Sequence, residues 1–485
     1  MSEPKSLLIP SLLVVGGIAV GVGLTLYLNH PTAPAAPATS SATGGSTPAA
    51  TGLDARLAGT ENSPEVRAAM SILSEAIQTV DRDKRAEMLR KLAADLVEKD
   101  VKLALEAGAK IPDANDKMEF MRALFAAWGA KDPKAAADYA KANFTPGLML
   151  GETIDAVVEK WAAQDPRTAR EWVEANTSGP LKDEALGMLL QGWTRVDPVA
   201  ASAWFLSTGS TSQTLLNAIV STWTDLDPKA AAAWVEGLTN NENRNVGRVM
   251  LASEWASQDP QAAAAYFGPM LTDKSGLDLG TALINRWGAS DPNAAAAWVD
   301  QLPHGPVRNE AAGTLATIWA AADIKAATAW SDKLEDPEMK AGVIDHLGTT
   351  WGAIEPTKAI EWIHTLPEGE SRVEATKGAF NSWAATDQPG LAAYIAKTPP
   401  GPESDLARRG LAAVQSDQNH SDALQTALGI NDPSLRSDEV AKYFRHWRKL
   451  DDAAAQQWLR GEWNSFAPDI QARLTKEQQR RIVPK

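Results

Sequence analysis

The 485-residue sequence contains no cysteine and only six histidines. The absence of cysteine excludes disulfide bonds, thiolate metal sites, cysteine nucleophiles and an N-terminal cysteine that carries a lipid. No two histidines have the close spacing of paired metal ligands, and the phosphate-loop, G-x-S-x-G and H-E-x-x-H motifs are absent. We therefore predict no cofactor, no metal and no catalytic residue, and we expect that the protein is not an enzyme.

Positive charge is also scarce in this chain. Its 47 Lys and Arg residues stand against 61 Asp and Glu residues, which gives a net charge of −14. A protein that binds nucleic acid over its whole length would be basic, so we predict no nucleic-acid partner. Residues 441–485 are the exception, because they carry ten Lys and Arg residues and five Asp and Glu residues. A basic segment at the end of an acidic chain favours an end-to-end contact or a contact with an anionic surface.

One long uncharged run, residues 7–28, lies near the start of the chain. A helix of this length rises about 33 Å at ~1.5 Å per residue, which is enough to cross a hydrocarbon core of roughly 30 Å. We predict that residues 1–29 form a transmembrane signal anchor. A cleaved signal peptide is the alternative, since residues 33–35 (Ala-Pro-Ala) match a small-x-small cleavage site. In that case the protein would be secreted.

The charges beside the predicted span set its expected orientation. Lys5 precedes the span, and the first positive residue after it is Arg56, so the N-terminus should be cytoplasmic and the bulk of the chain extracytoplasmic, periplasmic in a bacterium. Gly17 and Gly21 have the G-x-x-x-G spacing of a helix-dimerisation face, although glycine is common in such spans. Residues 30–52 are rich in Pro, Ala, Ser, Thr and Gly and are predicted to be a disordered linker.

A repeat of about 32 residues dominates the rest of the chain. Its motif is Trp, three residues, Asp-Pro, and an Ala-rich run that ends in a second aromatic residue 11 positions after the first Trp. Asp is a preferred N-cap and Pro suits the first helical position, so each motif predicts the start of a helix. The repeat residues are Trp128 with Asp132, Trp161 with Asp165, Trp193 with Asp197, Trp223 with Asp227, Trp255 with Asp259, Trp287 with Asp291, and then Trp319, Trp351, Trp383 and Trp447.

The repeat predicts an all-α fold, an elongated α-solenoid of about 12 helical hairpins. We place N-terminal capping helices at 53–95, the repeats at 96–460 and a basic C-terminal capping helix at 461–485. Near Gln415 one unit has lost both aromatic residues, which indicates a flexible joint or a partner-specific surface. Because the aromatic pairs bury the most apolar area, we expect them to set the packing between repeats.

The element DPKAAAAW, repeated with small changes, resembles the helix starts of tetratricopeptide and Sel1-like repeats. The resemblance covers about eight residues in each unit, and the Leu-Gly and Gly-x-x-Tyr elements of those families do not follow the Trp. It implies an α-solenoid that binds peptides and scaffolds assemblies, and it transfers no binding residue.

The leading interpretation is a membrane-anchored, non-catalytic scaffold that binds a protein or peptide through an extended surface. A glycan-binding or cell-wall-binding module with exposed aromatic residues is the first alternative, for which Trp463, the one Trp outside the repeat, is the best candidate. An enzyme with an unrecognised site, which a cluster of carboxylates or histidines would favour, is the second. A recurrent basic residue predicts either a charged edge or an internally paired ladder; its members are Lys182, Arg244, Arg308, Lys340 and Arg372.

Overall fold

A computed structural model of the chain describes residues 64–272 and 274–479. Within these ranges every regular element is a helix, with 26 α-helices and two short 3-10 turns. This confirms the predicted all-α, solenoid-like fold class. No helix in the described ranges is both long and apolar enough to cross a membrane. The predicted anchor at 1–29 with Gly17 and Gly21, the linker at 30–52 and residues 480–485 lie outside those ranges.

Twelve consecutive helical hairpins form the described part of the chain. Each has a first helix of 14–18 residues and a second helix of 8–11 residues. The first helices are α2 (Arg82–Lys99), α4 (Ala114–Lys131), α6 (Leu148–Gln164), α8 (Pro180–Val196), α10 (Gln213–Leu226), α12 (Asn241–Gln258), α14 (Lys274–Ser290), α16 (Pro306–Ala322), α18 (Pro337–Ile354), α20 (Glu370–Thr386), α22 (Pro402–Gln418) and α24 (Pro433–Leu450).

The second helices begin at or directly after the capping residue of each motif. They are α3 (Val101–Ala109), α5 (Pro133–Asn143), α7 (Pro166–Asn176), α9 (Pro198–Thr208), α11 (Pro228–Glu236), α13 (Pro260–Phe267), α15 (Pro292–Val299), α17 (Ile324–Lys333), α19 (Pro356–Thr365), α21 (Gln388–Lys397), α23 (His420–Leu428) and α25 (Asp452–Glu462). Helix α1 (Pro64–Gln78) precedes the first hairpin, and α26 (Pro468–Gln479) follows the last. The predicted segment bounds at 53–95, 96–460 and 461–485 stay predictions.

The capping Asp explains the fixed spacing of the motif. The backbone N–H of Asp227 donates to the carbonyl of Trp223 at 2.8 Å and ends the first helix. Its carboxylate accepts from the N–H groups of Lys229 and Ala230, both at 3.0 Å, and starts the second helix. One residue therefore closes one helix and opens the next, four positions after the Trp. Glu355 is an exception, because its longer side chain makes no capping hydrogen bond.

The two aromatic residues of a motif contact each other inside one hairpin. Ring centroids lie 5.1–6.2 Å apart in all ten hairpins that have both aromatics. The 11-residue spacing crosses the turn and joins the two helices of the same unit. Some of these rings also reach the preceding hairpin, as Trp234 does with Phe205 at 6.4 Å between ring centroids. The expectation that the pair sets the packing between repeats stays a prediction. Packing between units is made chiefly by the first helices, each against the first helix of the next hairpin, except from hairpin 11 to hairpin 12, where the second helix α23 makes most of the contact with α24.

Small residues allow that packing to be close. A Cβ atom placed on Gly352 in α18 would lie 2.5 Å from the Cα atom of Ala379 in α20, which is closer than real Cβ contacts. Each second helix lies between the first helix of its own hairpin and that of the next. The buried core accordingly runs along the stack, with Phe120, Leu189, Leu283 and similar side chains fully buried.

The hairpin that lacks both aromatics keeps the register of the repeat. Gln415 and Thr426 occupy the two aromatic positions, and the Thr426 hydroxyl donates to the Gln415 side-chain oxygen at 2.7 Å. Asn419 replaces the capping Asp and still accepts from two backbone N–H groups. The buried core also changes partners here, because Leu411 packs with the preceding hairpins and Ala412 with the following ones. A polar pair thus replaces an aromatic pair without a change in topology.

Candidate binding site

The repeat aromatics lie in the protein core. All 18 Trp side chains are within the described residues, and each is buried or half-buried. Trp463 is half-buried and packs against the core of the last hairpins. A glycan platform needs exposed ring faces, so these positions give the carbohydrate alternative no support.

The recurrent basic residues bind the chain itself. Arg244 donates to the carbonyl of Leu238 at 2.8 Å, and Lys340 donates to that of Asp332 at 3.0 Å. Arg308 pairs with Asp336 at 3.1 Å. Arg244 and Lys340 thus tie the end of one hairpin to the first helix of the next, and Arg308 reaches the residue that caps the following first helix. These contacts favour the internally paired ladder over a charged edge for an acidic partner.

A cavity of about 830 Å³ opens between hairpins 2, 3 and 4. It lies where the loops that leave α5 and α7 meet the first turns of α6 and α8. We call it the α6–α8 cavity. Its apolar lining consists of Phe144, Leu148, Leu150, Ile154, Trp172 and Leu181, together with two prolines. Its charged and amide lining consists of Lys141, Glu152, Asp155, Asn176 and Glu184.

Glycines at the two loops shape the mouth of the α6–α8 cavity. Gly147, directly before α6, has φ of 150°, and Gly179, directly before α8, has φ of 58°. Residues with a Cβ rarely adopt such positive φ values, so these turns favour glycine. The turn at Gly147 leaves the next residue, Leu148, 71% exposed at the rim. An exposed leucine at a cavity mouth is a ready contact for a partner.

The centre of this site is Asp155. It lies one helical turn after Glu152 on α6, and both line the α6–α8 cavity. The Oδ1 atom of Asp155 is buried and has no hydrogen-bond partner. Burial, together with the charges of Glu184 and Glu152, raises the pKa of Asp155 to about 7. A carboxyl group in this state is partly protonated near neutral pH, and a nearby cation favours its ionised form.

Asp155 also borders a second cavity of about 560 Å³ on the first helices of hairpins 1–4. Ion pairs occupy this side: Arg90 lies 2.6 Å from Glu119, and Arg122 lies 3.9 Å from Glu152. Of the three carboxylates that line the α6–α8 cavity, Glu152 thus has a cation partner at 3.9 Å, whereas Asp155 and Glu184 form no ion pair with a described residue in 64–272 and 274–479.

Three of the described histidines contact carboxylates. His364 lies 2.6 Å from Glu403, and His304 lies 2.7 Å from Asp336. Nowhere in 64–272 and 274–479 do three or more His, Asp or Glu side chains form a group that could hold a metal ion. Glu403 also accepts a hydrogen bond from the Tyr394 hydroxyl, and the three side chains tie hairpins 9, 10 and 11 together.

Comparison with known proteins identifies no family. No family model matches the chain, and no curated protein matches it. Sixteen chains of solved structures do match. One is the crystal structure of Kap121p bound to Nup53p, at 10% identity and a TM-score of 0.25, over 87% of this chain and 50% of that chain. The chain thus spans about half the length of that structure.

A second matching structure comes from a study described as "A conserved phosphorylation switch controls the interaction between cadherin and beta-catenin in vitro and in vivo". Its identity is 12% and its TM-score 0.19, over 84% of this chain and 99% of that chain. The likeness in both cases is one of helical fold alone.

The sequence predictions did not identify Asp155. The signal was present, since Asp155 lies six residues before Trp161, at a position where the first helix faces its neighbours. Asp345 has the same offset from Trp351, and burial raises its pKa too. An acidic residue at a half-buried helix position is unfavourable unless it has a partner. The repeat alignment shows an acidic residue at this position in both units, but the burial that raises its pKa is visible only in the structure.

Proposed function

We propose that the protein is a membrane-anchored, non-catalytic scaffold, and that the α6–α8 cavity binds a segment of a protein partner. The observation that carries this proposal is the cavity itself, about 830 Å³ in volume and lined by six large apolar side chains and several polar groups. Ligand sites commonly combine this size with a mostly apolar lining and a few oriented polar groups.

The repeat architecture supports the same function. Stacked hairpins present a series of loops and helix faces, and such surfaces commonly bind extended peptides. The uncharged run at residues 7–28 supports attachment to a membrane, and the linker at 30–52 would hold the hairpins away from it. In the described ranges the cavity carboxylates belong to no group of side chains that could hold a metal ion, which agrees with a binding role.

Site-specific photo-crosslinking tests this function. A benzophenone amino acid is placed at Leu148, at the rim of the cavity, and in a control at Ile354, which is 56% exposed on hairpin 9. In native membranes we expect a discrete protein adduct from position 148 and none from position 354. Absence of any adduct at 148, with binding to isolated cell wall instead, would refute the proposed function and favour the carbohydrate alternative.

The anchor is tested by fractionation. The full chain should remain in the membrane pellet after alkaline extraction, and deletion of residues 7–28 should release it. Protease added outside the cell membrane should digest the hairpins of the full chain. Recovery of the full chain in the soluble fraction would contradict the anchor and leave the cavity proposal in place.

A further inference from the structure

We propose that the α6–α8 cavity selects a partner segment by one Arg or Lys side chain, which is held by the carboxylates of Asp155, Glu184 and Glu152, with an apolar neighbour against Phe144 and Leu181. This inference rests on the proposed function and names the chemistry of the ligand. The occupant is an extended segment of a protein partner.

Charge complementarity is the first argument. The cavity lining has three carboxylates and one cationic side chain, Lys141, whose ammonium group already donates to the Asn176 amide oxygen at 2.9 Å. Glu152 shares a distant contact of 3.9 Å with Arg122, which lies on the other side of α6. No described Lys, Arg or His forms an ion pair with Asp155 or Glu184 in the ranges 64–272 and 274–479. A ligand cation would supply the charge that this lining lacks.

The shape of the lining is the second argument. Long cationic side chains keep their aliphatic stems on apolar surface while their charged ends reach polar groups. Here Phe144 and Leu148 lie at the loop end of the cavity, Leu150 and Ile154 continue the apolar lining along α6, and Asp155 lies about two helical turns after Leu148. If an Arg or Lys side chain of the partner enters past Phe144, its guanidinium or ammonium group would therefore approach Asp155.

Proton coupling gives the inference a measurable signature. Because the pKa of Asp155 is raised to about 7, part of the free protein carries this residue protonated at neutral pH. A bound cation stabilises the ionised form, so binding releases a proton. The ionised fraction increases about tenfold from pH 6 to pH 8, and the affinity should increase by about the same factor. Besides Asp155, the charged groups that line the α6–α8 cavity are Lys141, Glu152 and Glu184. Those that line the second cavity include Arg90, Glu119, Arg122 and Glu159.

Fluorescence anisotropy with synthetic peptides tests the inference. The probe is a labelled hexapeptide with one Arg between two Leu residues, and its control replaces that Arg with neutral citrulline. The full-length chain in detergent micelles should bind the Arg peptide about tenfold more tightly at pH 8 than at pH 6. The citrulline peptide should bind at least tenfold more weakly at pH 8.

Two variants separate a specific role of Asp155 from general electrostatics. Asp155→Asn should weaken binding of the Arg peptide and abolish its increase between pH 6 and pH 8. Glu171→Gln, on an exposed position of α7, should behave as the wild type. Circular dichroism of each variant confirms that it is folded.

Either of two results would overturn the inference: equal binding of the Arg and citrulline peptides, or an unchanged pH dependence in Asp155→Asn. Absence of any binding by the Arg peptide would overturn it as well. In each case an adduct at Leu148 would still support the proposed function, so the two failures are distinguishable.

Discussion

Replacing Asp155 with asparagine should stabilise the helices around it. The pKa of Asp155 is raised from 3.8 to about 7 because its charged form is desolvated and faces Glu184 and Glu152. Folding therefore favours the protonated form. The penalty is absent below the ordinary pKa, grows as the pH increases between the two pKa values, and is complete above the higher one. Asparagine keeps the shape of the side chain and removes the charge.

The magnitude follows from the size of this shift. At 1.36 kcal/mol per pKa unit the full penalty is about 4 kcal/mol, and partial solvent exposure of Asp155 reduces it to about 2 kcal/mol. At pH 5 less than half of this penalty has developed. We therefore expect Asp155→Asn to stabilise α6 by about 1 kcal/mol at pH 5 and about 2 kcal/mol at pH 8. The cost that the wild type bears is consistent with a residue retained for binding.

Hydrogen exchange is the appropriate assay, because hairpins in a stack can open locally and a single melting temperature averages over all of them. Amides in Leu148–Gln164 should exchange about 30-fold more slowly in Asp155→Asn than in the wild type at pH 8, after correction for intrinsic rates. Glu171→Gln serves as the control and should change little. If Asp155→Asn and Glu171→Gln protect these amides equally at pH 5, and again at pH 8, the argument that an uncompensated charge lies in this cavity is refuted.

Three further predictions concern the architecture, each measured by urea denaturation or local exchange. Asp291→Ala removes a helix cap and should cost about 1 kcal/mol, whereas Glu355→Asp should supply a missing cap and stabilise by about 0.5–1 kcal/mol; equal effects would contradict the capping role. Asp138→Ala deprives the Trp172 indole N–H of its acceptor at 2.8 Å and should cost more than Asp138→Asn, which keeps an acceptor. Glu477→Gln breaks a buried ion pair and should cost about 3 kcal/mol, seen as faster exchange in the last described helix.

Much of the fold was predictable because the same local interactions, within a few residues of each motif, recur in every repeat. Asp227 followed by Pro marks a helix start through capping and the missing N–H of proline, and both effects act within four residues. Departures from the motif were also interpretable, since Asn419 caps its helix as Asp does. The helix that each Trp ring contacts was less predictable. A Trp that recurs at a fixed period is expected to be buried, but its period does not show which neighbouring helix it packs against.

The candidate site was not predictable in the same way. Asp155, Glu184 and Phe144 lie on different helices or loops, and no motif links their spacing. The pKa of Asp155 depends on how much water the neighbouring hairpins exclude and on where Glu184 lies across the cavity.

By itself the sequence determined the helices, their caps, the number of hairpins and the burial of the tryptophans, because these depend on interactions within one repeat. Only the tertiary structure decided which aromatic rings contact each other, which basic side chains donate hydrogen bonds to backbone carbonyl groups, and which carboxylates have no cation as a partner. Those features depend on distances between side chains from different hairpins. Adjacent units that look alike in sequence therefore differ in their side-chain contacts and in the charges that these contacts leave unpaired.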